Sequence, residues 1–291
     1  MALIGYALCP FEKARGMSNQ NPTTSIDLYH EFHGQGYPLL CLHGFGASLY
    51  SWRNFIGTLS EDHQLVLIDL KGFGKSPKPR DGRYSPQDHA DLIYEFILKH
   101  DLRNLTLVGN SFGGALSLLL AVMLLDREPE RLKSVILIDA GAYPEYVPFY
   151  LKLLSIPVVS TVSAYLTPSK WATRMVLSRA YYDRSKITRE QVVTYAAPMA
   201  TPGGRHALLE TGRQLIPANI DELIKRFKDI TVPVLIIWGR YDKIVPRKVA
   251  ELLHRDLPNS TLKIIDRCGH VPQEEKPEET IALIQEFLKS L

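Results

Sequence analysis

Short apolar runs alternate with longer helical patterns along most of the chain, and this alternation restricts the possible folds more than any other feature. The runs predict six strands, at residues 38–43, 64–69, 105–110, 134–139, 234–239 and 261–266. Helical patterns lie between or after them, at residues 49–59, 86–99, 111–125, 246–254 and 277–290. Because the runs are apolar on both faces, they are typical of parallel strands covered by helices. We therefore predict an α/β fold with a mostly parallel central sheet and helices on both faces.

One long interval interrupts this alternation. After Asp139 the sequence is rich in Tyr, Pro and Leu, and strand-like runs resume only at Val232. An interval of this length is too long for a loop in a compact domain, so we predict an inserted, mainly helical cap. The predicted organisation is an N-terminal tail over residues 1–25, a core formed by residues 26–141 and 216–291, and a cap over residues 142–215.

Charge and cysteine content argue against several functional classes. The formal net charge of +3 is spread along the chain, and the densest basic patch, at residues 71–80, contains a single aromatic residue, Phe73. We interpret this patch as a solvated loop and expect no nucleic-acid partner. The three cysteines, Cys9, Cys41 and Cys268, are far apart and form no CxxC motif, so neither a disulfide framework nor a zinc site is indicated. This pattern fits a reducing, cytoplasmic location.

A charge-free segment at residues 105–125 has the length of a membrane span. However, the string GNSFGG interrupts its middle, a β-type run precedes that string, and a helical run follows it. A strand, a sharp turn and a buried helix explain the same residues without lipid, so we expect no membrane insertion.

The interruption itself predicts a catalytic turn. Ser111 lies between Gly109 and Gly113, directly after a predicted strand and at the start of a predicted helix. This is the G-x-S-x-G pattern in which the glycines let strand and helix approach closely, so that the serine hydroxyl projects above the edge of the sheet. A glycine-rich helix start capped by serine is the structural alternative.

A serine nucleophile requires a base and an orienting carboxylate. His270 follows the last predicted strand, and Asp242 follows the strand before it, so the chain order is Ser, Asp, His. The carboxyl ends of parallel strands share one edge of a sheet, which predicts that these three side chains meet there.

Stabilisation of the developing negative charge requires two backbone N–H groups. Phe112, at the start of the helix after Ser111, is one predicted donor. The second is predicted in the glycine-rich loop after the first strand, where we assign it to Phe45.

Five motifs together resemble the α/β-hydrolase superfamily, in a form that carries an inserted cap. They are HGFGAS (43–48), DLKGFGKSPKP (69–79), GNSFGG (109–114), WGRYDKIVP (238–246) and CGHVPQEEKP (268–277). The resemblance covers residues from about 26 to 291. It implies Ser111 as nucleophile, His270 as general base and then acid, Asp242 as orienting carboxylate, and the backbones of Phe45 and Phe112 as oxyanion donors. Some family members place the carboxylate after an earlier strand, which makes Asp139 the alternative acid.

The nucleophile limits the reaction expected from this resemblance. Relatives that open epoxides or displace halide use aspartate at the turn, so Ser111 favours transfer of an acyl group to water, with a small-molecule ester as substrate. Hydrolases that cleave carbon–carbon bonds of aromatic ring-fission products are the second reading, although those relatives usually carry tryptophan where Val271 follows the histidine. A ligand-binding receptor with the same fold, and an acyltransferase or perhydrolase, are further alternatives.

No cofactor or metal is expected. The string DLKGFGKS ends like a phosphate-binding loop, but Asp69 stands where its first glycine is required and Pro77 follows. There is no HExxH motif and no paired histidine cluster to bind zinc.

The predicted cap contains many aromatic residues among aliphatic ones, which indicates an apolar pocket over Ser111. They are Tyr146, Phe149, Tyr150, Tyr165, Trp171, Tyr181 and Tyr182, and most are expected to pack inside the cap. Such a pocket favours acyl chains of roughly C4 to C8. If the apolar segment at residues 151–168 opens on a lipid surface instead, the protein is a lipase.

Overall fold

The computed structural model describes residues 26–152 and 167–291. The predicted tail with Cys9, and most of the apolar 151–168 segment with Tyr165, lie outside the described residues. Seven strands form one sheet in the order β1-β3-β2-β4-β5-β6-β7. The strands are β1 (His30–His33), β2 (Pro38–Leu42), β3 (Gln64–Ile68), β4 (Leu105–Asn110), β5 (Leu132–Ile138), β6 (Val234–Gly239) and β7 (Ser260–Ile265). All neighbouring pairs are parallel except β1 and β3.

The two edge strands differ from the sequence prediction. The sequence HEFH of β1 was not predicted as a strand, because it has no apolar run and is only partly buried against β3. The final strand was expected to be apolar on both faces, but only Ile265 of β7 is buried. Edge strands have a neighbour on one side only, so their burial pattern is weaker than that of the central strands.

Helices cover both faces of the sheet, as predicted. The α-helices of the core are α1 (Arg53–Leu59), α2 (Pro86–Lys99), α3 (Phe112–Arg127), α9 (Lys248–Asp256), α10 (Pro272–Glu275) and α11 (Pro277–Lys289). Alternate residues of β2 belong to different apolar clusters: Leu40 and Leu42 pack with α2, α3 and α9, whereas Leu39 and Cys41 pack with α1 and α11. Since successive strand residues point to opposite faces, these clusters are the two layers of a sandwiched sheet.

The start of α2 follows from a local signal. The Ser85 hydroxyl accepts a hydrogen bond from the Asp88 N–H at 3.1 Å, and the Asp88 carboxylate accepts one from the Ser85 N–H at 3.1 Å. This reciprocal capping, with Pro86 in the first turn, satisfies two N–H groups that the helix leaves unpaired. The predicted bounds of 86–99 agree with the structure.

The charge-free segment at residues 105–125 divides into β4 and the first part of α3, as predicted. Twelve residues of α3 are buried, which explains the absence of charge without a membrane. Among the described residues, no helix is long and apolar enough to span a bilayer.

The basic patch is not a fully solvated loop. Lys71 is 2% exposed, and its ammonium group donates hydrogen bonds to the Asp81 carboxylate and the Arg83 carbonyl, each at 2.7 Å. It also lies 4.6 Å from the centre of the Tyr84 ring. The interpretation as a solvated loop is therefore wrong for Lys71, because its partners lie ten or more positions later in the sequence.

The segment between β5 and β6 is mainly helical where it is described. Its α-helices are α4 (Phe149–Lys152), α5 (Ser169–Ala180), α6 (Arg189–Met199), α7 (Pro202–Arg213) and α8 (Ile220–Lys225). Tyr181 is buried between them, but Phe149 and Trp171 are exposed, so the expected internal packing of the aromatic residues holds only in part. The whole connection between β5 and β6, residues 139–233, is called the inserted segment below, and the predicted cap, residues 142–215, lies within it.

Two consecutive buried carboxylates in α10 attach the inserted segment to the core. Glu274 accepts hydrogen bonds from three side chains: Arg53 of the core, at 2.6 Å, and Gln191 and Tyr195 of the inserted segment, at 3.0 and 2.9 Å. Its neighbour Glu275 is fully buried. These contacts place α10 at the junction of the core and the inserted segment.

The Glu275 side chain accepts hydrogen bonds from backbone N–H groups. Its carboxylate accepts hydrogen bonds from the N–H groups of Tyr182 and Asp183 in the inserted segment, at 3.1 and 2.7 Å, and from Gly269 N–H at 2.7 Å. One side chain therefore holds the end of α5 and the loop after β7 together.

We expect Glu275→Gln to lower the free energy of unfolding by about 2 kcal/mol. The amide replaces one accepting oxygen with a donor, so at least one of the three N–H groups loses its acceptor. Denaturant unfolding measures the change, and Glu286→Gln on the exposed side of α11 is the matched control, expected within about 0.5 kcal/mol of the natural protein. Equal stability of the two variants would contradict this account of α10.

Candidate active site

Ser111 occupies a sharp turn between β4 and α3. Its backbone has φ 55° and ψ −115°, a conformation that is costly for a residue with a side chain. Hydrogen bonds hold the turn: the Ser111 N–H donates to the Ile138 carbonyl at 3.0 Å, and the Ser111 carbonyl accepts from Gly141 N–H at 2.9 Å. The strained serine is thus fixed between the ends of β4 and β5.

The flanking glycines are required by close backbone approach. A Cβ atom on Gly113 would lie 2.0 Å from the Leu42 carbonyl oxygen, and one on Gly109 would lie 2.3 Å from the Gly113 carbonyl oxygen. Both distances are far below van der Waals contact. The structure therefore contains the tight strand-to-helix approach that the sequence predicted around Ser111.

Asp242 and His270 are brought together at the ends of β6 and β7. The distance between His270 Nδ1 and Asp242 Oδ2 is 2.6 Å, and both side chains are almost completely buried. Asp242 Oδ1 accepts two further hydrogen bonds, from the N–H groups of Ile244 and Val245 at 2.7 and 3.0 Å. With a carboxylate as partner, Nδ1 carries the proton and Nε2 is left as an acceptor.

Backbone contacts of His270 connect it to two other parts of the molecule. Its N–H donates to the Ala180 carbonyl, at the end of α5, at 2.6 Å. Its carbonyl accepts a hydrogen bond from the Asn110 side chain at 3.1 Å, and Asn110 directly precedes Ser111. Sequence reasoning assigned no role to Asn110 or Glu275. The available signals were Asn110, a polar residue at the end of an apolar run directly before Ser111, and the acidic pair in CGHVPQEEKP.

The predicted oxyanion donors lie on either side of the Ser111 turn. Phe112 is the first residue of α3, where N–H groups have no partner within the helix. Phe45 belongs to the loop after β2, and a Cβ atom on the preceding Gly44 would lie 3.3 Å from Ser111 Cβ, so this loop passes directly beside the serine. Both phenylalanines contact the same cavity as Ser111.

His43, in the loop after β2, is held by contacts of both ring nitrogens with backbone groups. It is buried, its Nδ1 lies 2.8 Å from the Gly44 carbonyl oxygen, and its Nε2 accepts a hydrogen bond from the Leu70 N–H at 3.0 Å. Burial lowers the pKa of His43, although Asp69 and the Gly44 carbonyl oppose this. The neutral ring therefore joins two loops and is not available as a base.

A cavity extends from Ser111 beneath the inserted segment and contains about 870 Å³ of space, its open mouth included. Besides Ser111 its wall is formed by Phe45, Pro86, Phe112, Ala115, Leu118, Leu119, Gly141, Ala142, Tyr143, Pro144, Tyr146, Val147, Pro148, Leu151, Leu215, Ile216, Pro217, Ile220, Leu223, Phe227, Ile244 and Val245. Within the described ranges, no acidic, basic or histidine side chain belongs to this wall. The hydroxyl of Tyr143 donates to the Asp256 carboxylate at 2.8 Å.

Asp139, the alternative acid, lies close to the Asp242–His270 pair. One possible ligand atom from each of the three side chains lies within 4.8 Å of the other two, which is close enough to hold a metal ion. However, Asp242 already accepts three hydrogen bonds, one of them from His270. A metal would have to break the carboxylate–imidazole contact, so the geometry favours the hydrogen-bonded pair.

Comparison with known proteins agrees with the observed fold. The family model described as alpha/beta hydrolase fold matches residues 37–277. The uncharacterised hydrolase YugF of Bacillus subtilis is 30% identical over 269 residues, which cover 91% of this chain and 95% of the relative. A 2-hydroxymuconate semialdehyde hydrolase of Pseudomonas putida is 28% identical over 263 residues, which cover 88% of each chain.

Solved structures share the fold. A thermophilic esterase from Thermogutta terrifontis superimposes with a TM-score of 0.75 at 24% identity, covering 93% of this chain and 96% of the esterase. At that identity the likeness shows the fold alone. Meta-cleavage product hydrolases are also among the structural neighbours. From the family match, the sheet and the turn at Ser111, the chain belongs to the α/β-hydrolase fold family.

Proposed function

We propose that this protein is a serine hydrolase that cleaves carboxylic esters with uncharged acyl chains of short to medium length. The observation that carries the proposal is the wall of the Ser111 cavity, which in the described part of the chain has no charged or histidine side chain and is apolar apart from the hydroxyl groups of Ser111, Tyr143 and Tyr146. Such a wall favours transfer of a hydrocarbon chain from water, and its described residues offer no cation to a buried anion.

The proposed reaction uses the residues in the order of the catalytic cycle. The Ser111 oxygen attacks the ester carbonyl carbon while its proton passes to His270 Nε2, and the N–H groups of Phe45 and Phe112 stabilise the oxyanion. Collapse breaks the bond to the leaving alkoxide, which takes the proton from His270. Water then attacks the acyl-enzyme by the same route and releases the acid. Asp242 orients the imidazole throughout.

Carbon–carbon bond hydrolysis is the principal alternative, because one relative is a 2-hydroxymuconate semialdehyde hydrolase. The compound in that relative's name, 2-hydroxymuconate semialdehyde, is a carboxylate anion at neutral pH. Burial of a carboxylate without a cation or several donors is strongly unfavourable. The apolar cavity wall therefore supports the ester over the anionic ring-fission product.

Residues 142–215 are proposed to form the cap that encloses the acyl chain.

Ser111→Ala should reduce ester hydrolysis by several orders of magnitude, with only a residual rate from binding and the oxyanion donors. The variant should fold normally, since alanine is smaller than serine. Steady-state turnover of a p-nitrophenyl ester measures the loss. Ser117→Ala, at the buried serine two turns later in α3, is the matched control and should retain nearly full turnover. A folded Ser111→Ala protein with normal turnover would refute the proposed nucleophile.

Asp242→Asn should lower kcat by a factor on the order of several thousand. The amide group donates where the carboxylate accepted, which favours the imidazole tautomer with its proton on the wrong nitrogen. A loss smaller than about tenfold would show that Asp242 is not the orienting group.

A series of p-nitrophenyl esters tests the cavity. Each added methylene should raise kcat/KM about fourfold, up to a chain of roughly C4 to C8, because burial of one methylene contributes about 0.8 kcal/mol. Longer chains should then be rejected. The matched charged control is the p-nitrophenyl monoester of adipic acid, which equals the hexanoate ester with a terminal carboxylate and should react at least about 100-fold more slowly.

Three outcomes of this series, with a ring-fission product assayed beside it, would contradict the ester assignment. Strong activation by an oil–water interface would indicate a lipase. Faster turnover of a ring-fission product than of any ester would indicate a carbon–carbon hydrolase. Tight binding of an apolar ester without turnover would indicate a receptor.

A further inference from the structure

A second carboxyl group is buried behind the Asp242–His270 pair. Asp139 directly follows β5, is fully buried, and has a left-handed backbone with φ 44°. Its Oδ1 accepts a hydrogen bond from Gly239 N–H at 3.0 Å. Its Oδ2 is buried and, within the described part of the chain, has no hydrogen-bond donor. An unpaired carboxylate oxygen in this position would be costly.

The surroundings of Asp139 are poor in positive charge. The titratable groups that face it are Asp242 and His270, within 4.8 Å, together with Glu275 and the Cys268 thiol. Of these only His270 is able to carry a positive charge, and its Nδ1 is bonded to Asp242. Two neighbouring carboxyl groups in such a buried site disfavour each other's ionisation.

The unequal supply of donors decides which carboxyl group keeps the charge. Asp242 accepts hydrogen bonds from His270, Ile244 and Val245, whereas Asp139 accepts one from Gly239. Hydrogen bonds to an ionised group stabilise the charge, so Asp242 is the carboxylate. Burial, and then the charge of Asp242, raise the pKa of Asp139 well above its ordinary value of 3.8.

We propose that Asp139 is a neutral carboxylic acid whose Oδ2–H group donates a hydrogen bond to Asp242 and thereby positions it against His270. The proton satisfies the otherwise unpaired Oδ2 and gives Asp242 a further donor. Asp139 is thus a positioning residue and not an alternative acid. Its effect on turnover rests on the proposed function, whereas its protonation state does not.

The first test uses stability and needs no substrate. If Asp139 keeps its proton in the folded protein and loses it above about pH 3.8 in the unfolded chain, folding takes up one proton. Rising pH then destabilises the natural protein. The ratio of folded to unfolded molecules is measured for the natural protein and for Asp139→Asn. The first ratio divided by the second should fall about tenfold per pH unit between pH 5 and the folded-state pKa of Asp139.

Asn is the informative replacement because it matches Asp in shape and tolerates the left-handed backbone. Denaturant unfolding of both proteins, at intervals from pH 5 to 8, measures the slope. Asp62→Asn, at an exposed position, is the control and should not remove the pH dependence. A stability difference between the natural protein and Asp139→Asn that does not change with pH would overturn the proposal, because an ionised Asp139 takes up no proton on folding.

The second test uses turnover. Asp139→Asn should keep kcat within about threefold of the natural protein, because the amide N–H replaces the O–H as donor. Asp139→Gly also accepts the left-handed backbone but supplies no donor, so its kcat should fall about 10- to 100-fold with KM little changed.

If kcat of Asp139→Asn is as low as kcat of Asp139→Gly, or lower, the proposal is overturned and Asp139 is identified as an ionised acid. Failure of the proposed function would appear as absent ester turnover in the natural protein. The pH dependence of stability would then still decide the protonation state of Asp139.

Discussion

The left-handed backbone at Ser111 is the constraint on which the arrangement of the site depends. A residue with a side chain adopts this conformation only if the surrounding structure holds it. Here α3 approaches β4 and the end of β2 so closely that a Cβ atom on Gly109 would overlap the Gly113 carbonyl group and one on Gly113 would overlap the Leu42 carbonyl group. The chain therefore turns sharply at this residue, and the serine is placed at the carboxyl edge of the sheet and in the wall of an apolar cavity.

The order of strands brings the other groups to the same edge. β4, β5, β6 and β7 are consecutive neighbours in the sheet, and Ser111, Asp139, Asp242 and His270 each follow one of them. Parallel pairing thus brings residues far apart in sequence to one edge of the sheet. Hydrogen bonds then fix the loops, through Asn110 on one side of His270 and through Ala180 and Glu275 on the other. The loop that contains His270 is consequently attached to the inserted segment as well as to the core.

Much of this arrangement was predictable from the sequence, because its signals are local. Apolar runs, the glycines around Ser111 and the position of Asp242 and His270 after strands all lie within short stretches. The strand β1 has no such signal, since its sequence carries no apolar run. The burial of Lys71 and the links through Glu275 depend on residues distant in sequence. The proposed state of Asp139 requires a comparison of hydrogen-bond donors at two neighbouring carboxyl groups, which only three-dimensional structure supplies.

The central claim is that Ser111 becomes acylated within an apolar cavity. Its most direct test is covalent labelling of the purified protein with an uncharged alkyl organophosphonate, followed by intact-mass measurement and peptide mapping. The account predicts one adduct per chain, located on the peptide that contains Ser111, and protection by a hydrolysable ester added beforehand. Loss of ester turnover with the adduct on another residue, or full turnover after Ser111 is labelled, would contradict it.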